Sequence, residues 1–171
     1  SISDCETECS ADNSCEGYTV IGSAEESRIG YSADAVATHT TPSTDNLVEF
    51  DCASPQTSGT FKLTTSCTLA QNVNLNGELT IIGMTQDMNN LVTITAAATS
   101  RHFNLKNTGD KLNIWHLKLT GGDVSSYTTT PDRDGGSISI TSGNINLYYS
   151  EISGNEAGFH GGGIYATNGN M

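Results

Sequence analysis

One stretch of this chain is written twice. Gly135-Gly136-Ser137-Ile138-Ser139-Ile140-Thr141-Ser142-Gly143-Asn144-Ile145 overlays Gly161-Gly162-Gly163-Ile164-Tyr165-Ala166-Thr167-Asn168-Gly169-Asn170-Met171 at an offset of 26 residues, without a gap. Gly, Gly, Ile, Thr, Gly and Asn coincide, and Ile145 meets apolar Met171. A second register runs at an offset of 33. Leu79-Thr80-Ile81-Ile82 matches Leu112-Asn113-Ile114-Trp115 and then Ile145-Asn146-Leu147-Tyr148. Leu119-Thr120-Gly121-Gly122 likewise matches Ile152-Ser153-Gly154-Asn155. Periods of this length mean stacked supersecondary units, each unable to bury its apolar face alone.

The unit is built of strands. Its apolar residues alternate with polar ones in period 2, with no helical spacing. Gly-Gly and Asn-Gly steps supply corners that need positive φ. A unit of this size holds two or three short strands, and Leu, Ile and Val stack on their counterparts one unit away. The expected fold is therefore all-β: a right-handed parallel β-helix, a solenoid, over about 46–171, preceded by a disulfide-bearing N-terminal segment or cap with little regular structure over 1–45. Leu79, Ile81, Leu112, Ile114, Ile145 and Leu147 are expected to point inward. Asp123 to Asp134 read as a loop inserted into one unit. The last repeat opens a strand at Gly169-Asn170-Met171 and stops. The reading is a stack truncated at that end or covered by another copy.

These residues carry a family resemblance. From about Leu47 to Met171 the chain resembles right-handed β-helix proteins of the pectin-lyase-like superfamily. Its later part resembles the surface-protein branch with polymorphic outer-membrane-type repeats, through Gly135-Gly136-Ser137-Ile138, Gly161-Gly162-Gly163-Ile164 and Ile152-Ser153-Gly154-Asn155. It departs at Ile152, which stands where that family's signature has Phe. The resemblance implies an architecture and leaves function open. Polysaccharide lyases, hydrolases and epimerases share the fold, and they resemble one another in carrying clustered carboxylates with a base beside them. Between Leu79 and Leu119 the acids are Asp87 and Asp110, and no stacked Asp positions occur.

Composition and charge narrow the function. Asp and Glu number 19 against 7 Lys and Arg, a net charge of −12. Nucleic-acid binding requires many cations to neutralise phosphates, so it is excluded as a working reading. No apolar run is long enough for a membrane helix. The five cysteines are Cys5, Cys9, Cys15, Cys52 and Cys67. Crowding in a polar terminus points to disulfides in an oxidising compartment. A zinc site is the rival reading, disfavoured because Cys5, Cys9 and Cys15 form no CxxC pair and have no nearby His. Cys52 with Cys67 is expected to staple the first strand, Gly59 to Leu63. Cys9 is paired with Cys15, leaving Cys5 unpaired or intermolecular. The run from Cys5 to Tyr18 also resembles the tail of a PAN or WSC extracellular module.

Candidate sites compete with plainer readings. Asp123, Asp132 and Asp134 offer oxygens to Ca²⁺ around the Asp134-Gly135 turn, against a solvated turn, which is favoured; no other cofactor is expected. Trp115, His116 and His160 read as ordinary repeat and turn positions rather than catalytic ones. Thr40, Thr41 and Ser43, with Thr128, Thr129 and Thr130, lie in Pro-bounded Ser/Thr tracts that suit O-glycosylation as well as plain loops. The expected function is an extracellular or cell-surface structural or adhesive protein, not an enzyme: a subunit of a fibre, filament or flagellar hair. Its partners are further copies head to tail, other extracellular proteins or glycans. The alternative is a carbohydrate-active β-helix enzyme or carbohydrate-binding module.

Overall fold

The computed structural model describes residues 18–21, 27–30, 40–85, 87–129 and 132–168. All its strands after residue 58 belong to three four-stranded sheets, and every pairing within them is parallel. The first sheet holds β3 (Gly59–Leu63), β6 (Glu78–Gly83), β9 (Lys111–Trp115) and β12 (Asn144–Tyr148). The second holds β4 (Cys67–Thr68), β7 (Val92–Thr95), β10 (Leu117–Thr120) and β13 (Glu151–Ile152). The third holds β5 (Val73–Asn74), β8 (Phe103–Leu105), β11 (Ile138–Ile140) and β14 (Ile164–Ala166). The chain visits the sheets in the same cyclic order four times.

Register follows the sequence repeat residue for residue. Leu79 lies beside Leu112 and Leu112 beside Ile145, while Ile81, Ile114 and Leu147 form the adjoining column. Leu119 pairs with Ile152, and Ile138 with Ile164. A one-residue slip would turn each apolar set outward. Leu79, Ile81, Leu112, Ile114 and Ile145 are buried, and half-buried Leu147 packs against the same core. The second and third sheets add Val92, Ile94, Leu117 and Leu119, then Val73, Phe103, Leu105, Ile138 and Ile140.

The corner between β9 and β10 is the single residue His116, and Tyr149 with Ser150 forms the corner between β12 and β13. His116 and Tyr149 take φ of 50° and 49° there. Gly83 occupies the same corner one circuit earlier, where an added Cβ would stand 2.2 Å from the His116 carbonyl oxygen. The inserted loop runs between β10 and β11, as its composition suggested.

The edge beneath β3, β4 and β5 is covered. Lys62 N donates to Val48 O and Phe50 N to Lys62 O; Ala70 N donates to Cys52 O and Asn76 N to Thr57 O. Residues 48–57 thus run along all three sheets. Phe50 and Cys52 close the core from below, with the Phe50 ring edge-on to Phe61 at 6.0 Å. Cys52 is disulfide-bonded to Cys67, the first member of the column Cys67–Ile94–Leu119–Ile152. The N-terminal segment is also more regular than expected: β1 (Tyr18–Ile21) and β2 (Ser27–Gly30) pair antiparallel, consistent with their β-branched residues. Cys5, Cys9, Cys15, Thr130 and the Gly169-Asn170-Met171 strand lie outside the described residues.

Candidate functional site

The outward positions of the third sheet build a polar floor. Between inward Val73 and Leu75, Phe103 and Leu105, and Ile138 and Ile140 stand Asn74, Asn104 and Ser139, side by side in register. Asn104 Nδ2 donates to Asn74 Oδ1 at 3.1 Å. Arg101 Nη1 donates to Asn104 Oδ1 at 3.2 Å, and its Nη2 donates to the Asp132 carbonyl oxygen. The inserted loop forms the facing wall. Together they enclose a cavity of about 530 Å³ whose lining includes Arg101, Asn104, Lys106, Tyr127, Thr129 and Asp132.

Electrostatics here run against the chain's net charge. Asp132 is the one acid among the described lining residues, opposite Arg101 and Lys106. Burial lowers the Arg101 pKa from its usual value, while Asp132, Tyr127 and Asp134 act in the opposite sense. The guanidinium stays charged. Asn104 and the Asp132 carbonyl take two of its five donors, and the amide and hydroxyl groups beside it supply both donors and acceptors. The cavity therefore suits a polyhydroxylated or anionic ligand.

The carboxylates proposed for Ca²⁺ take separate partners. Asp123 accepts from Ser125 N at 2.8 Å and Ser125 Oγ at 2.6 Å, bonds that hold its pKa below the ordinary value. Asp132 Oδ2 accepts from Thr129 Oγ1 at 3.3 Å. Asp134 is buried and accepts from His160 N at 3.0 Å, with His160 Nδ1 at 3.2 Å. Among the described residues, no three His, Cys, Asp or Glu side chains gather in a metal-binding group.

His160 thus ties the inserted loop to the next circuit, and its ring stacks on Tyr165. Trp115 stacks on Tyr148 with centroids 3.9 Å apart, and His116 on Tyr149 at 5.1 Å, so the repeat-register neighbours are in contact. Of the Ser/Thr tracts, Thr40, Ser43, Thr128 and Thr129 are exposed, while Thr41 is half-buried with its hydroxyl 3.0 Å from His116 Nε2.

Arg101, His102, Asn104 and Lys106 were missed in the sequence. A signal existed: Val73-Asn74-Leu75 and Phe103-Asn104-Leu105 repeat an apolar-Asn-apolar triplet that marks the third sheet. No helix among the described residues is long and apolar enough to cross a membrane. Compared with family models, with curated proteins and with solved structures, the chain shows no match.

Proposed function

We propose that this chain is an extracellular right-handed parallel β-helix acting as a structural or adhesive scaffold. The repeated cyclic visits to three parallel sheets support the helix, and parallel crossovers are right-handed in about 98% of cases. The Cys52–Cys67 disulfide supports an oxidising, extracellular setting. The observation that carries the scaffold reading is what the outward columns contain. Asn146 Nδ2 donates to Asn113 Oδ1, and Asn113 Nδ2 to Thr80 Oγ1, at 2.8 and 2.9 Å. Such columns bond to one another along the stack and hold successive circuits in line.

A second reading, a carbohydrate-binding module, is favoured by the cavity beside Arg101. Binding rather than hydrolysis fits it, because hydrolysis needs two carboxyl groups about one bond and Asp132 is the one acid among the described lining residues. Light scattering and electron microscopy on purified protein test the scaffold: concentration-dependent oligomers or fibres are expected, and a strict monomer at all concentrations contradicts it. Turnover of pectin or alginate abolished by changing Asp132 or Asp134 would overturn both readings in favour of an enzyme. Saturable binding of an oligosaccharide, weakened by Lys106→Glu, would promote the second.

A further inference from the structure

On the first sheet, Lys62, Ile82, Trp115 and Tyr148 stand side by side at one register position. Inward Ile81 and Ile114 precede them in their strands, so this column faces outward. Yet Ile82 is 1% exposed and Trp115 6%. An outward Ile and Trp this deeply buried need chain lying over them.

Two anchors identify that chain. Thr41 Oγ1 bonds His116 Nε2 at 3.0 Å, one residue past Trp115. Seven residues later, Val48 O accepts from Lys62 N at 3.1 Å. The strand between those of Trp115 and Lys62 is β6, and its member of the column is Ile82. Residues 41–48 therefore cross the sheet along the line that Ile82 and Trp115 occupy. Within the crossing, the Thr44 carbonyl accepts from Leu47 N.

The latch at Thr41 is built around an incompletely satisfied ring. His116 is buried, stacks on Tyr149, and holds Nδ1 buried with no hydrogen-bond partner among the described residues. Either neutral tautomer leaves Nδ1 unpaired. Protonation makes it a charged N–H donor that no described group accepts, a state that water relieves once the covering chain lifts. We propose that residues 41–48 are a strap latched by Thr41 on His116, and that acid opens the latch, lifting the strap from Ile82 and Trp115.

Burial alone accounts for the lowered pKa of His116. The other titratable or charged groups at the strap and its sheet are Tyr148, Tyr149, Asp45, Glu49, Lys62, and Glu78 with Lys111, which pair with each other at 3.1 Å at the opposite end of β6 and β9. Asp45 is bonded to Ser43 and Glu49 to Thr64, and neither bonds the imidazole. The closed strap favours neutral His116, while the open strap returns it toward the ordinary value near 6.5. Opening therefore gains as pH falls below about 6.5. Each pH unit between the open and closed values changes the ratio of the two forms about tenfold.

Trp115 is the chain's single tryptophan, so its emission reports the strap. In the full chain, lowering pH from about 7.5 to about 5.5 is expected to red-shift emission and raise acrylamide quenching while far-UV circular dichroism stays constant. Thr41→Val, lacking the latch hydroxyl, is expected to show the open signal already at the higher pH. His116→Asn, tolerated at positive φ, removes the titrating ring and is expected to give a pH-independent signal over this range. The proposal is overturned by flat wild-type emission, by wild-type-like emission of Thr41→Val at the higher pH, or by a transition that persists in His116→Asn.

Discussion

His102 sits inside the stack with both ring nitrogens engaged. Nε2 lies 3.1 Å from the Ile94 carbonyl, which only accepts, so Nε2 carries the hydrogen. Nδ1 then accepts from the Ser137 hydroxyl at 3.0 Å. Burial, opposed by backbone hydrogen bonding, pushes its pKa down from 6.5 to about 4. Between those values the unfolded chain binds the proton and the native chain does not. Stability therefore falls as pH drops from about 6.5 to about 4, by roughly 3 kcal/mol in total, and this contribution then levels off. Urea unfolding at a series of pH values checks this, with His102→Gln removing that component of the slope; an identical slope in the variant would contradict it. The carboxylates act lower on the scale. Side-chain hydrogen bonds from Lys111 and Asn113 hold Glu78 below its usual pKa, as those from Lys118 and Ser153 hold Glu151. Asp110 is raised by burial but lowered further by backbone donors from Asn107, Lys106 and Gly77. Their contribution is present above the carboxylate range and fades as pH falls through the lowered values. Ile114 measures the core directly. Ile114→Ala should cost about 2–5 kcal/mol in the same unfolding assay, whereas Ile114→Asp buries an unpaired charge and should abolish folding. A soluble, cooperative Ile114→Asp protein would place this side chain elsewhere.

The Cys52–Cys67 bridge joins the covering segment 48–57 to β4, with a sequence separation of 15. Closing a loop of that size should contribute about 3 kcal/mol by restricting the unfolded chain. The double variant Cys52→Ser/Cys67→Ser is expected to lose roughly that amount in denaturant melts; unchanged stability would show that segment to be held by its backbone bonds alone. This pairing was readable because the two cysteines flank the first clear strand. The columns of β6, β9 and β12 were readable too, since five-residue alternation recurs there at a constant offset. Other elements left little trace. β4, β5 and β13 are two residues long, too short for a period to register. Segment 48–57 joins the sheets mainly through backbone groups, which sequence does not display. The Arg101 cavity forms because the inserted loop folds over a strand that precedes it, and the burial of Trp115 depends on a segment more than sixty residues away in sequence. Tertiary neighbours of that kind follow no local pattern.

At the scale of the whole molecule, three parallel sheets share one core of stacked aliphatic columns, and inserted material is confined to the corners between them. Longer or shorter corners change the offset, 26 for β11 to β14 and 33 for β9 to β12, without disturbing strand register. That tolerance lets one face carry a polar cavity while another carries a strap. The central claim is that strands distant in sequence pair in parallel at these offsets. Interstrand backbone nuclear Overhauser effects in isotopically labelled protein test it most directly. The account expects parallel-type amide-to-Hα contacts linking the Leu112–Trp115 run with both Leu79–Ile82 and Ile145–Tyr148. Antiparallel Hα-to-Hα contacts between strands adjacent in sequence, such as β9 with β10, would contradict it.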